Sequence, residues 1–522
     1  MTAWDIATAR RFILKTPQWY ESNAPWIFKP HPVYIAMANP LGSFTYYEMD
    51  ILREAIHMRI KLSVTIGIAI LAAVALLLPS RSAFAVPNFA SQTGQPCTAC
   101  HIGAYGPQLT PLGRAFKIGG YTQSGGEGLA ASIPLSAMVL TSFTHTGSNV
   151  PDDQITPHFD NNNNFALDQI SVFLAGRLGD HTGGFVQITY SDIPNASNLD
   201  NTDLRPYTTT FDLGGNELRV GTTINNNPTV QDPYNSTFAW GFPFVSSGLA
   251  PTPAATPILD GAFAANTIGY TAYAWYDHSL YLEAGGYTTL STWSLARLGN
   301  GLGPGSTQGV MPYLRAAYEW NWNQQSAHVG ALYLQSNVNP TTDTFDSSGA
   351  NGRDHFQDYA IDAGYQYLGD GTNIFTVESI FTHEHQNLEG TTAIFNIANG
   401  TTFAPTASLN QIRITGSYWY RNTYGLTLAW QNTWGPANPV VFQPAELVGS
   451  ANNKPNSNSF TIEADWVPFG KADSVWSPWA NLKLGVQYVA YTQFNGGNSN
   501  YDGFGRNASA NNTLFLFAWM AF

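Results

Sequence analysis

From about residue 134 onward the chain repeats one pattern, side chains alternating between apolar and polar, broken at intervals by turns. A period of two sends successive side chains to opposite faces of a strand, so each run has two unlike surfaces. Phe460, Ile462, Ala464 and Trp466 share one face, whereas Thr461, Glu463 and Asp465 share the other. From Gln411 to Tyr420, Ile412, Ile414, Gly416, Tyr418 and Tyr420 oppose Gln411, Arg413, Thr415, Ser417 and Trp419. Lipid outside and water inside account for that split. The alternation predicts strands near 134–145, 164–177, 184–192, 204–213, 216–224, 267–277, 280–288, 311–320, 326–337, 356–367, 373–386, 409–420, 424–434, 458–468, 480–494 and 512–522, an even sixteen. Long Asn/Gly/Pro-rich connections (146–163, 225–266, 289–309, 387–408) interleave with short turns such as Gly214-Gly215, and only 469–479 is long on the short side. Bacterial outer-membrane barrels have this asymmetry, with long loops outside and short turns in the periplasm. The expected fold is all-β, a 16-stranded transmembrane outer-membrane β-barrel over 131–522 with both ends in the periplasm. Closure leaves no open backbone groups in lipid. The last residue, Phe522, stands on an alternating strand, in the form of the signal that marks such barrels for assembly. A soluble β-sandwich is the competing reading, and it explains neither the even count nor the loop asymmetry.

Composition agrees. Charged residues make up 11% of the chain and aromatics 14%, whereas a soluble domain carries about 25% charged residues. The net charge of -13 and the absence of a Lys/Arg stripe exclude nucleic acid as a partner and favour cations. Residues 58–85 begin with Arg59 and Lys61, continue as an apolar run and end in Ala83-Phe84-Ala85. This is the layout of a signal peptide with a small-x-small cleavage site, and the mature chain would start near Val86. An uncleaved membrane anchor is the alternative, but no basic stop-transfer cluster follows the apolar run. Met58 then reads as the start codon, and residues 1–57 as a start-site artefact or unassigned extension.

Residues 86–130 carry the chemistry. Cys97 and Cys100 are the chain's two cysteines and His101 follows directly. Cys-x-x-Cys-His is the spacing for two thioether bonds to one haem c, with the adjacent imidazole as proximal iron ligand. A disulfide here would close too small a loop to stabilise much, a dithiol redox site wants a βαβ context, and one Cys pair does not complete a zinc set. The segment is too short to build a core of its own. The haem must therefore borrow its walls from the barrel mouth or lumen.

The run FASQTGQPCTACHIGAYGPQLTPLGRAFKIGGY, Phe89 to Tyr121, followed by sixteen strands, resembles the fused outer-membrane monohaem cytochrome-porins, whose best-studied members are ferrous-iron oxidases. NNNPTVQDPYNSTFAWGFPF, Asn225 to Phe244, is similar to members as well. The resemblance implies an iron-oxidising c-type cytochrome that takes electrons from extracellular Fe(II), or another reductant, and passes them to a periplasmic c-type cytochrome or other carrier. Cys97 and Cys100 would be the attachment sites and His101 the proximal ligand.

Met138 lies on the lumen phase of the first strand and is a candidate distal ligand; His181, His278 and His328, at periplasmic strand ends, are others, and the sixth site could be open. His383, Glu384 and His385, where the eleventh strand meets its outer loop, are candidate ligands for an iron access site. Lumen-phase Glu217, Glu319, Asp358, Asp362, Glu378, Glu463 and Asp465, interleaved with Arg219, Arg315, Arg413 and Lys483, suggest either a cation path or an ordinary mixed lining. The 225–266 connection is long enough to fold inward as a constriction or to cover the mouth. Two rivals to inward electron flow stand beside it: a porin with a haem-bearing plug or sensor, and a conduit that exports electrons.

Overall fold

The computed structural model describes residues 88–126, 134–301, 303–340, 352–476 and 479–522. The expected signal peptide (58–85) and the extension (1–57) lie outside them. Among the described residues sixteen long strands form one sheet: β1 (Leu135–Thr146), β2 (Asn164–Arg177), β3 (Gly183–Ser191), β4 (Ala196–Leu213), β5 (Asn216–Asn225), β6 (Thr267–Tyr276), β7 (Leu280–Thr289), β8 (Met311–Trp322), β9 (Gln325–Asn339), β10 (Asp354–Tyr367), β11 (Asn373–Leu388), β12 (Thr406–Tyr420), β13 (Tyr424–Trp434), β14 (Ser457–Trp466), β15 (Asn481–Gln493) and β16 (Thr513–Ala521). Each pairs antiparallel with its neighbours, and β1 pairs with both β2 and β16, so the sheet is a closed barrel. The seam runs from Met138 opposite Ala521 to Thr146 opposite Thr513. A two-residue strand, Ser306–Thr307, adds to the end of β9.

The two faces follow the alternation. Ile361, Leu428 and Val486 point outward and are 62%, 55% and 50% exposed, while Asp358, Glu463 and Lys483 point inward and are buried. Outward Trp320, Trp322, Tyr365, Tyr420, Tyr424 and Trp466 ring the short-turn end, as an aromatic girdle does at a membrane interface. No described helix is long and apolar enough to cross a membrane; the strands cross it. A closed sheet with an apolar outer belt and charges inside is an integral outer-membrane barrel, its short turns periplasmic.

Departures from the expected elements have local causes. β4 starts at Ala196, well before residue 204, because its hairpin with β3 continues past a bulge between Val186 and Ile188. Two helices stand where loops were expected. In Thr292–Leu298 the Ser291 hydroxyl accepts from the Ser294 amide and Gly299 ends the helix in the left-handed conformation. Glu389–Asn399 likewise stops at a left-handed Gly400. The 225–266 connection folds inward: Val230, Gln231, Asp232 and Thr237 are buried. Its Ser236 hydroxyl donates to Asp362 on the wall at 2.7 Å, and Arg413 donates to the Ser236 carbonyl at 3.1 Å.

Candidate functional site

The N-terminal segment lies in the short-turn half of the lumen. It comprises α1 (Asn88–Thr93), α2 (Cys97–Cys100) and α3 (Pro111–Ile118). Pro96 precedes α2, a single turn, and the His101 amide closes it on the Cys97 carbonyl at 2.9 Å. Positions three apart share a helix face, so Cys97 and Cys100 stand together and His101 leaves in extended conformation. The thiols are not joined. Burial raises the Cys97 pKa against the side chain of Asn481, and pushes that of Cys100 up to about 11. Burial lowers the pKa of His101 against the Gly106 carbonyl, and its Nδ1 is enclosed without a partner among the described residues.

Cys97 packs against one apolar cluster, which contains Ile102, Tyr105, Met138, Leu140, Trp419 and Trp519. The segment and the wall thus build the cluster jointly, and Met138 belongs to the same cluster that Cys97 packs against. Gly103 is left-handed, and a Cβ there would sit 2.4 Å from the Trp419 ring, so glycine is required for the segment to lie against that wall. Phe244 and Val245 of the inward loop pack on the same cluster. Of the alternative ligands, His278 is exposed in a turn, His181 bonds the Thr208 carbonyl, and His328 lies over Tyr234 beside Asp362.

Charges hold the segment in place. Arg114 is buried with Glu319 in a two-pronged pair (2.7 and 3.2 Å) and also donates to Ser326, Gln366 and the Leu109 carbonyl. Lys117 donates to the Val230 and Asp232 carbonyls and to Asn235, at 2.6 to 2.9 Å, which ties α3 to the inward loop. Burial pushes its ammonium down to about 7, with Asp203 opposing. Tyr121 donates to Asp203, Gln108 donates to Glu378, and Asn481 donates to the Ala104 carbonyl. The inward loop is pinned in turn, since Arg315 pairs with its Asp232 and with Asp362 on the wall.

These pairings give the lumen acids a different use from a cation path. Glu319 holds Arg114, Asp362 holds Arg315, Glu463 and Asp465 hold Lys483, and Glu217 holds Arg219. Asp358 and Glu384 accept from the Leu259 and Ile258 amides at 2.7 Å. The outer-rim candidates are separated by the strand's own alternation. Glu384 faces the lumen and is buried, whereas His383 and His385 take the opposite face, His383 against Asn410 at 2.8 Å. Among the described residues no group of three metal-ligating side chains comes together, so His383, Glu384 and His385 are not one ligand set.

Sequence reasoning missed Tyr105, Trp419, Trp519, Arg114, Lys117 and Asn481. One signal for two of them was available: Arg114 and Lys117 are cations at helical spacing in a charge-poor chain, next to a barrel with acids on its lumen phase. For a haem c the residues fit. The paired thiols, the imidazole, an apolar wall and enclosed polar atoms without partners are together, and Cys97, Cys100 and His101 would hold the group.

No protein-family model matches the chain, and no curated protein does. Solved structures similar to it include OprB of Pseudomonas putida, at 11% identity over 74% of this chain and 93% of that one with a TM-score of 0.42. The outer-membrane channel DcaP of Acinetobacter baumannii is 12% identical over 74% and 96%, with a TM-score of 0.40. OmpF of Salmonella typhi, solved with daunomycin, is 12% identical over 74% and 97%, with a TM-score of 0.41.

Proposed function

We propose that the protein is an outer-membrane electron conduit of the cytochrome-porin kind. It would oxidise extracellular Fe(II) at one covalently bound haem c and pass each electron to a periplasmic c-type cytochrome. The observation that carries the reading is the Cys97–Cys100 turn with His101 inside the lumen, where Cys97 packs against a cluster that contains aromatic wall residues and Met138. Haem c supplies a one-electron couple when bound. Cys97 and Cys100 would carry it and His101 would hold its iron, with Met138 a candidate second ligand, and Trp419, Trp519 and Tyr105 would keep water from it. Each ferrous ion becomes ferric and each carrier gains one electron, with no bond made or broken.

A porin with a haem-bearing plug is the second reading. The filling of the lumen from both ends, by α3 below and the inward loop above joined at Lys117, favours conduction of charge over passage of solutes. Haem-stained gels of outer-membrane fractions and stopped-flow reduction of the holoprotein by ferrous iron test the conduit. No reduction at acidic or neutral pH counts against inward flow, and free passage of sugars in liposome swelling favours the porin. Cys100→Ala should abolish stable haem attachment and leave a heat-modifiable barrel. Met138→Leu should keep the haem but lower its midpoint potential, because thioether ligation raises it; an unchanged potential removes Met138 as a ligand.

A further inference from the structure

The cluster beside Cys97 contains donors with nothing to donate to. Tyr105 Oη and Trp519 Nε1 are enclosed, their residues 7% and 9% exposed, and neither has a partner among the described residues. Their rings meet edge to face with centroids 4.9 Å apart. Ser142 Oγ is enclosed as well, but the Asp168 carboxylate lies beside it as an acceptor. Ser142 stands on β1 opposite Phe517, two positions from Leu140, which is opposite Trp519. A buried donor left unpaired is costly, and an indole N–H can only donate. Unsatisfied donors converging from the segment and from β16 mark a place where an acceptor belongs.

Resting on the haem reading above, we propose that Tyr105 and Trp519 form a carboxylate site that receives a propionate of the haem carried by Cys97 and Cys100. An ionised propionate only accepts, and charge-assisted bonds to it are the stronger kind. The nearby cation is already neutralised, so recognition would rest on the two donors. Lys483 lies over Trp419 and Phe517 of this cluster at 5.6 and 5.8 Å, with its charge taken up by Glu463 and Asp465. Asp168, near Ser142, is the other acid on this wall, and His101 is the nearby imidazole. Tyr105 and Trp519 are positioning residues for the haem and do not ligate its iron.

The test uses the purified holoprotein in detergent with Tyr105→Phe, Trp519→Phe and the double variant, each of which keeps a ring in the wall. Resonance Raman spectra read the propionate bending modes, and spectroelectrochemistry reads the midpoint potential against pH. Fewer donors leave more negative charge near the iron, so each variant should shift the propionate mode and lower the midpoint potential. The pH-dependent step should move to higher pH, and the double variant should show the largest change. Unchanged bands and an unchanged profile in Trp519→Phe, with haem attached normally, overturn the proposal; such a result means that the donors meet water only. If the double variant fails to assemble, the single variants decide. Wild-type protein without covalent haem on a stained gel defeats the underlying reading instead, and is seen before any variant is made.

Discussion

At Lys117 three short hydrogen bonds meet a side chain that is fully enclosed. Three acceptors favour the ammonium, but its lost hydration, with Arg205 close by, outweighs them and sets the group at about 7. An unfolded lysine titrates near about 10.4. Between these values the undocked side chain keeps a proton that the docked one has released, so docking of α3 strengthens as pH rises through that window, weakens as pH falls back across it and levels off below about 7. Limited proteolysis of residues 88–126 at a series of pH values should show this, and Lys117→Met should flatten the profile. An identical slope in the variant would put the effect elsewhere. The turn that brings Cys97 and Cys100 together ahead of His101 was legible because it depends on spacing along the chain. Arg114 was not, because its partner Glu319 lies 205 residues away, and sequence offers no distance at that range.

Among the elements, strands were the most legible part of the fold. A lipid face and a water face impose the period of two on every one of them, and β2 and β13 fall where the alternation puts them. β4 escaped because residues 196–203, ASNLDNTD, carry no alternating signal, and pairing with β3 holds them as a strand. The inward loop was legible only as too long to be a simple connection. Its interior position depends on Asp232 meeting Arg315 and on Glu384 and Asp358 meeting consecutive amides. Replacing Phe238 to Val245 with Gly and Ser should open the path past Phe244 and raise single-channel conductance in planar bilayers. Conductance equal to that of the wild type would mean that the N-terminal segment alone fills the lumen.

For the molecule as a whole, the barrel's stability belongs to the membrane while its contents behave as a small water-soluble core. Ile361 sits near the middle of β10 on the lipid face, and arginine there should cost about 2–4 kcal/mol, read as a lower midpoint in urea-driven unfolding from lipid vesicles. A change below experimental error would place Ile361 away from the bilayer centre. The segment packs against the β1–β16 seam through Tyr105 and Trp519, and its Arg114 is already matched to Glu319 on the wall. Those partners are costly to leave alone once water has gone. If the chain carries the haem proposed above, biogenesis would have an order: prosthetic-group ligation would come first, in the periplasm, and the cylinder would be zipped around a finished insert, so that a late cofactor would find its door already shut.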